Sequence, residues 1–162
     1  MNTEIIAETS SQNILIKRRF EAKKQQVYRL FVEKDLQVQW QTAFLLNFKF
    51  LYFDCTPGGS YHSTHSGSDG RTYGFRGIYH ELIPNECIIK TSEFIGLPFK
   101  VLPSLEVLNF EDYEGQTQLT IQIICDSIKT RDAMLQHGMQ THFDAIFGAM
   151  DELVKNKINP EN

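Results

Sequence analysis

Phe53-Asp54-Cys55-Thr56-Pro57-Gly58-Gly59-Ser60-Tyr61, followed at a short interval by Phe75-Arg76-Gly77-Ile78-Tyr79-His80-Glu81-Leu82-Ile83-Pro84, is the stretch that decides the fold. Its first half joins one strand to the next through a turn. Pro57 fixes one backbone angle there, and the two glycines supply angles that other residues resist. Working outward, β-branched and alternating runs predict strands at residues 14–20, 47–54, 60–66, 71–82, 87–94, 105–110 and 116–125. Helical spacing of Val27, Leu30 and Phe31 predicts a short helix over 24–31, and a second runs from 34 to Trp40. Residues 96–103, punctuated by Pro98 and Pro103, read as a loop.

At about 100° per residue, Leu135, Met139, Phe143, Ile146, Met150, Leu153 and Val154 fall on one broad face of a long helix expected over 129–155. Gln140, Asp144, Asp151 and Lys155 fall opposite. Such a helix must lie across another layer, and the strand-rich middle supplies it. Short turns between successive strands make that sheet antiparallel. The expectation is an α+β fold: about six or seven curved antiparallel strands around a long C-terminal helix, with short N-terminal helices. Residues 13–156 form its single domain, between flexible tails at 1–12 and 157–162.

The composition excludes several classes. The chain has 162 residues, with 41% hydrophobic and 22% charged, and a net charge of −4. No apolar run approaches the ~20 residues that span a bilayer, and the polar N-terminus, without Lys or Arg before Lys17, is no targeting peptide. Cytoplasmic location without membrane insertion is the default. Cys55, Cys87 and Cys125 make no CxxC pair and read as reduced thiols. The Lys17-Arg18-Arg19 and Lys23-Lys24 group reads as a solvated edge, and an acidic domain lacks the electrostatic footprint of a nucleic-acid binder.

These residues resemble a known family. Phe20-Glu21-Ala22 before a helix, Trp40, Asp54 then Pro57-Gly58-Gly59, and Phe75-x-Gly77-x-Tyr79-x-Glu81-Leu82-x-Pro84 follow its order and spacing. So do Thr117-x-Leu119-Thr120-Ile121 and Gly138-x-x-x-x-Phe143-Asp144-x-Ile146. Over residues 14–155 the chain is similar to the activator of heat-shock-protein-90 ATPase homologue-like branch of the START-like, birch-allergen-like (SRPBCC) helix-grip superfamily. It departs in having Met139 in place of the usual Trp and Cys55-Thr56 in place of the usual basic residue. The resemblance implies a helix-grip fold with a hydrophobic cavity between helix and sheet, and a chaperone as one partner.

Candidate chemistry follows from the faces. Tyr73, Phe75, Gly77 and Tyr79 share one face of their strand, Leu108 and Phe110 one face of theirs, and Leu119, Ile121 and Ile123 another. Strand 60–66 is polar on both faces apart from Tyr61, as in a pocket needing a few hydrogen bonds or in an exposed edge. His142 falls inside the apolar helix face, as a polar anchor, an acid or base, or a core histidine. His62 and His65 point to opposite faces of one strand, and no cysteine joins a zinc-type spacing, so no metal site is assigned. Pro57-Gly58-Gly59 precedes a strand and lacks a phosphate-cradle pattern; no cofactor and no catalytic unit is assigned. The expected function is non-catalytic binding of a small hydrophobic molecule, lipid-like or aromatic, in a cavity of ~300 Å³ or more. Its lining is expected to draw on Trp40, Tyr61, Phe75, Tyr79, Phe110, Met139, His142, Phe143 and Ile146. The alternatives are an interaction module (chaperone accessory or homodimer) and a cyclase- or hydrolase-like enzyme using His142.

Overall fold

The computed structural model describes residues 2–158. Its strands are β1 (Glu4–Ile6), β2 (Asn13–Phe20), β3 (Leu46–Phe53), β4 (Ser60–Ser66), β5 (Thr72–Ile83), β6 (Cys87–Ile95), β7 (Ser104–Tyr113) and β8 (Gln116–Ile124). Helices α1 (Lys24–Val32) and α2 (Lys34–Gln41) follow β2, and α3 (Ile128–Gln136) and α4 (Met139–Leu153) follow β8. The eight strands form one antiparallel sheet in the order β1-β2-β8-β7-β6-β5-β4-β3. Alternation along β2, β4 and β8 buries every second side chain, so one face of the sheet is the core face.

The two quoted stretches belong together because the backbone joins them. The turn between β3 and β4 reaches across to β5, where Gly58 N–H donates to the Tyr79 carbonyl at 2.7 Å and Tyr79 N–H donates to the Gly59 carbonyl at 2.8 Å. The core face of β5 changes phase at a register irregularity between Tyr79 and Glu81, which turns Leu82 back onto the core.

Several expectations need correction. The sheet has one strand more than expected, because β1 arises within the segment 1–12 and pairs with β2 from Glu4↔Lys17 to Ile6↔Leu15. That segment is further tied down by Arg131, which donates to the carbonyls of Glu8 and Ser11, and by Gln12, bonded to the Cys125 carbonyl at 2.8 Å. At the other end, Lys157 and Ile158 continue a π-helical turn (Val154–Ile158) with Ile158 buried, while residues 159–162 of the expected tail lie outside the described residues.

The long helix is also broken. Gly138 sits at φ +79°, a left-handed angle that ends α3 and caps the start of α4. The apolar periodicity continues across the break, which is why spacing alone reads as one helix.

Finally, one member of the Lys17–Arg19 group departs from the solvated edge: Arg19 is exposed and Lys17 half-buried, whereas Arg18 points inward. β2 lies between β1 and β8, and Arg18 is buried, pairing with Asp151 of α4 and lying over the Phe147 ring at 5.8 Å. Asp151, expected on the polar face, is therefore the point where α4 is pinned to the sheet.

Candidate functional site

A cavity of about 130 Å³ lies between α4 and the core face of the sheet, flanked by α1 and α2 and partly open. It is less than half the expected size, because Phe147, fully buried on α4, fills part of the space against Phe20 and Phe143. The expected residues that line it are Trp40, Tyr61, Phe75, Tyr79, His142, Phe143 and Ile146. Two do not reach it. Phe110 packs edge-on beneath α1 against Tyr28 and Phe31, at 5.4 and 5.6 Å between ring centres. Met139 is buried at the first turn of α4, beyond the lining.

Two of the aromatic walls are anchored from behind. The Trp40 indole N–H donates to the Leu30 carbonyl at 2.8 Å, which fixes the ring between α1 and the cavity. The Tyr61 hydroxyl donates to the Thr91 carbonyl at 2.8 Å. That approach depends on Gly77, since a Cβ there would stand 1.9 Å from the Thr91 carbonyl oxygen and 2.7 Å from the Tyr61 hydroxyl. Tyr61 and Tyr79 rings lie 5.3 Å apart, and burial raises the pKa of both phenols. Both therefore remain neutral donors at physiological pH.

Strand β4 resolves its two-sided polarity. Tyr61, Ser63 and His65 point inward and are buried, so polar groups do enter the core face. His65 stacks on Phe75 at 5.8 Å, and burial lowers its pKa. His142 meets Phe44 and Phe143 edge to face at 4.7 and 5.2 Å. Its pKa is lowered to about 4, first by burial and then by the nearby His65. It is a neutral imidazole at pH 7, able to accept or donate one hydrogen bond to a guest.

An ion pair in the cavity wall was not foreseen. Lys90 of β6 and Glu106 of β7 are cross-strand partners, with Nζ and Oε2 3.4 Å apart and about a fifth of each side chain exposed. The ammonium lies 5.1 Å from the centre of the Tyr61 ring. Burial alone would depress the lysine pKa; Tyr61, Glu106 and Tyr79 outweigh it and leave it raised. A signal for the pair is present in the sequence. Ile88, Lys90 and Ser92 alternate on one face, as do Glu106, Leu108 and Phe110, and in each set an apolar neighbour two residues away marks the core side.

This is an aromatic cavity with one neutral histidine and one paired charge couple, cradled by a sheet and a C-terminal helix. The family described as "Activator of Hsp90 ATPase homolog 1-like protein" matches residues 21–155. The chain belongs to this family. Within the fold of this Hsp90-ATPase-activator-like family, crystal structures of proteins from Mycobacterium smegmatis and Rhodobacter sphaeroides superpose with TM-scores of 0.82 and 0.81 at 15% and 21% identity. The first alignment covers 96% of this chain and 98% of the other; the second covers 95% and 99%. A solution structure from Arthrobacter aurescens gives 0.80 at 16% identity, over 96% and 93% of the two chains. At these identities the likeness establishes the helix-grip fold alone. The search of curated proteins returned no match. Among the described residues of this family member, no helix is long and apolar enough to cross a membrane.

Proposed function

We propose that this protein binds a small, mostly apolar molecule, without transforming it, in the cavity between α4 and the sheet. The observation that carries the reading is the partly open space of about 130 Å³ with walls from Trp40, Phe75 and Phe143. An apolar cavity of ~150 Å³ holds a benzene ring, so the volume favours a single aromatic ring over the lipid-like alternative. His142 supports binding over catalysis. Its pKa of about 4 makes it a poor proton donor near pH 7, and its ring neighbours are Phe44 and Phe143 with no orienting carboxylate among the described residues. Three free thiols, each with its pKa raised by burial, support a reducing compartment, the cytoplasm.

A second reading, an interaction module acting as a homodimer or chaperone accessory, draws on β3. This sheet-edge strand exposes Leu46, Leu51 and Tyr52. Native mass spectrometry of the untreated purified protein separates the two. Binding predicts a monomer carrying a small adduct that is lost on denaturation. A bare chain that is dimeric at micromolar concentration, and that takes up no aromatic compound on incubation, would move the assignment to the interaction module.

A further inference from the structure

The Lys90–Glu106 pair is built into the wall of a cavity that is otherwise aromatic, and its geometry is incomplete. The 3.4 Å separation of Nζ and Oε2 exceeds the 2.7–2.9 Å of a well-formed charge-assisted hydrogen bond. An ammonium has three donors, and a carboxylate has about four acceptor sites. Among the described residues Glu106 is the one ion partner of Lys90, and Tyr61 takes another side of the ammonium with its hydroxyl and its ring face. With three donors on the ammonium, one remains beside the spare acceptors of Glu106, facing a cavity about the size of one ring.

We propose that the pair recognises a neutral aromatic compound bearing a hydroxyl group, of about the size of phenol. This rests on the binding reading above and names the chemistry of its guest. A hydroxyl oxygen accepts from Lys90 and its hydrogen is donated to Glu106, so one atom satisfies both members of the pair. The ring lies among Phe50, Phe75 and Phe143. A carboxylate guest would add a second negative charge beside Glu106, and an ammonium guest a second positive charge beside Lys90, where each of the pair's side chains is about four-fifths buried; both are disfavoured. A plain hydrocarbon fits the walls and leaves the pair's remaining hydrogen bonds unmade.

Trp40 is the chain's one tryptophan and lines the cavity, so its emission, excited at the red edge, reports occupancy. The experiment titrates phenol, toluene and benzoate at pH 7 into the native chain and into the double variant Lys90→Met/Glu106→Leu, which removes both charges together and leaves neither unpaired. A thermal melt of each protein verifies that the variant folds; if it does not, Lys90→Leu/Glu106→Met, which likewise offers neither donor nor charge, replaces it. The expected result is a toluene-to-phenol dissociation-constant ratio at least about tenfold higher in the native chain than in the variant, matching hydrogen bonds to charged groups, and benzoate weaker than phenol. Toluene binding to both proteins with an unchanged ratio, or benzoate binding more tightly than phenol, overturns this inference and leaves the binding reading standing. No binding of any of the three overturns both.

Discussion

Replacing Lys90 with Met isolates the energetics of the cavity wall. The substitution keeps length and apolar bulk and removes one charge, leaving the Glu106 carboxylate among Tyr61, Leu108 and Ile123 without its partner. Breaking one side of a fully buried ion pair costs about 3–5 kcal/mol. Each side chain here keeps about a fifth of its surface exposed, 22% for Lys90 and 19% for Glu106, so solvent screening lowers the expectation to about 2–3 kcal/mol. For a chain of this length, that is a fall in Tm of roughly 5–10 °C. Urea denaturation at pH 7 measures it. Adding Glu106→Leu should restore most of the loss, since replacing both charges of a buried pair by apolar groups is near neutral or stabilising. The raised pKa of Lys90 sets the alkaline limit. Its contribution is fully present below the pKa of an unfolded lysine, about 10.4, and is lost as pH rises from there through the folded value. A single-variant loss under about 1 kcal/mol, or a double variant as unstable as the sum of both singles, would refute the description of the pair as buried and coupled.

Other consequences follow from particular residues. The lowered pKa of His142, about 4, means the folded state resists protonation. Stability is full above the unfolded histidine value of about 6.5 and falls as pH drops towards 4, and between pH 7 and 5 His142→Gln should remove about 1–2 kcal/mol of that fall. Parallel urea curves for both proteins would contradict this. His65 shares the sign of the shift, so part of the slope should persist in the variant. Gly77→Ala places a methyl 1.9 Å from the Thr91 carbonyl oxygen and should cost at least about 2 kcal/mol, with altered Tyr61 environment in near-ultraviolet dichroism. Gly138→Ala meets no neighbouring atom within 4 Å, so its expected cost of about 1–2 kcal/mol is purely that of the left-handed backbone angle; a neutral melt would show that α3 and α4 can merge. Thiol titration should find Cys125, buried and 3.6 Å from the Met134 sulfur, reacting only after denaturation.

Most of the fold was legible because the strand faces obey a period of two and the turns are short. Tyr79, Leu108, Leu119 and Ile121 are all buried on the face their alternation assigns. The misreadings have identifiable causes. Glu4–Ile6 is too short to signal a strand, and its pairing with β2 is a tertiary event. The break at Gly138 was hidden by an apolar stripe that stays in phase across it. Arg18 stands among charged neighbours in the sequence, and its partner Asp151 lies 133 residues away. Of the site, the aromatic walls were legible. For Lys90 and Glu106 alternation marks the core side of each strand, and only the pairing of β6 with β7 shows that the two charges meet. The cavity's size depends on Phe147, and no one-dimensional pattern says how far a ring intrudes.

The central claim is that the space between α4 and the sheet accepts a guest. Methyl and indole NMR of the native chain during a toluene titration tests it most directly. The account predicts saturable shifts at the methyl groups of Ile121, Ile123 and Ile146 and at the Trp40 indole, all of which line the cavity, while Ile89, facing away on β6, stays fixed. Shifts spread evenly over surface methyl groups, or none at these positions up to the solubility of toluene, would contradict it.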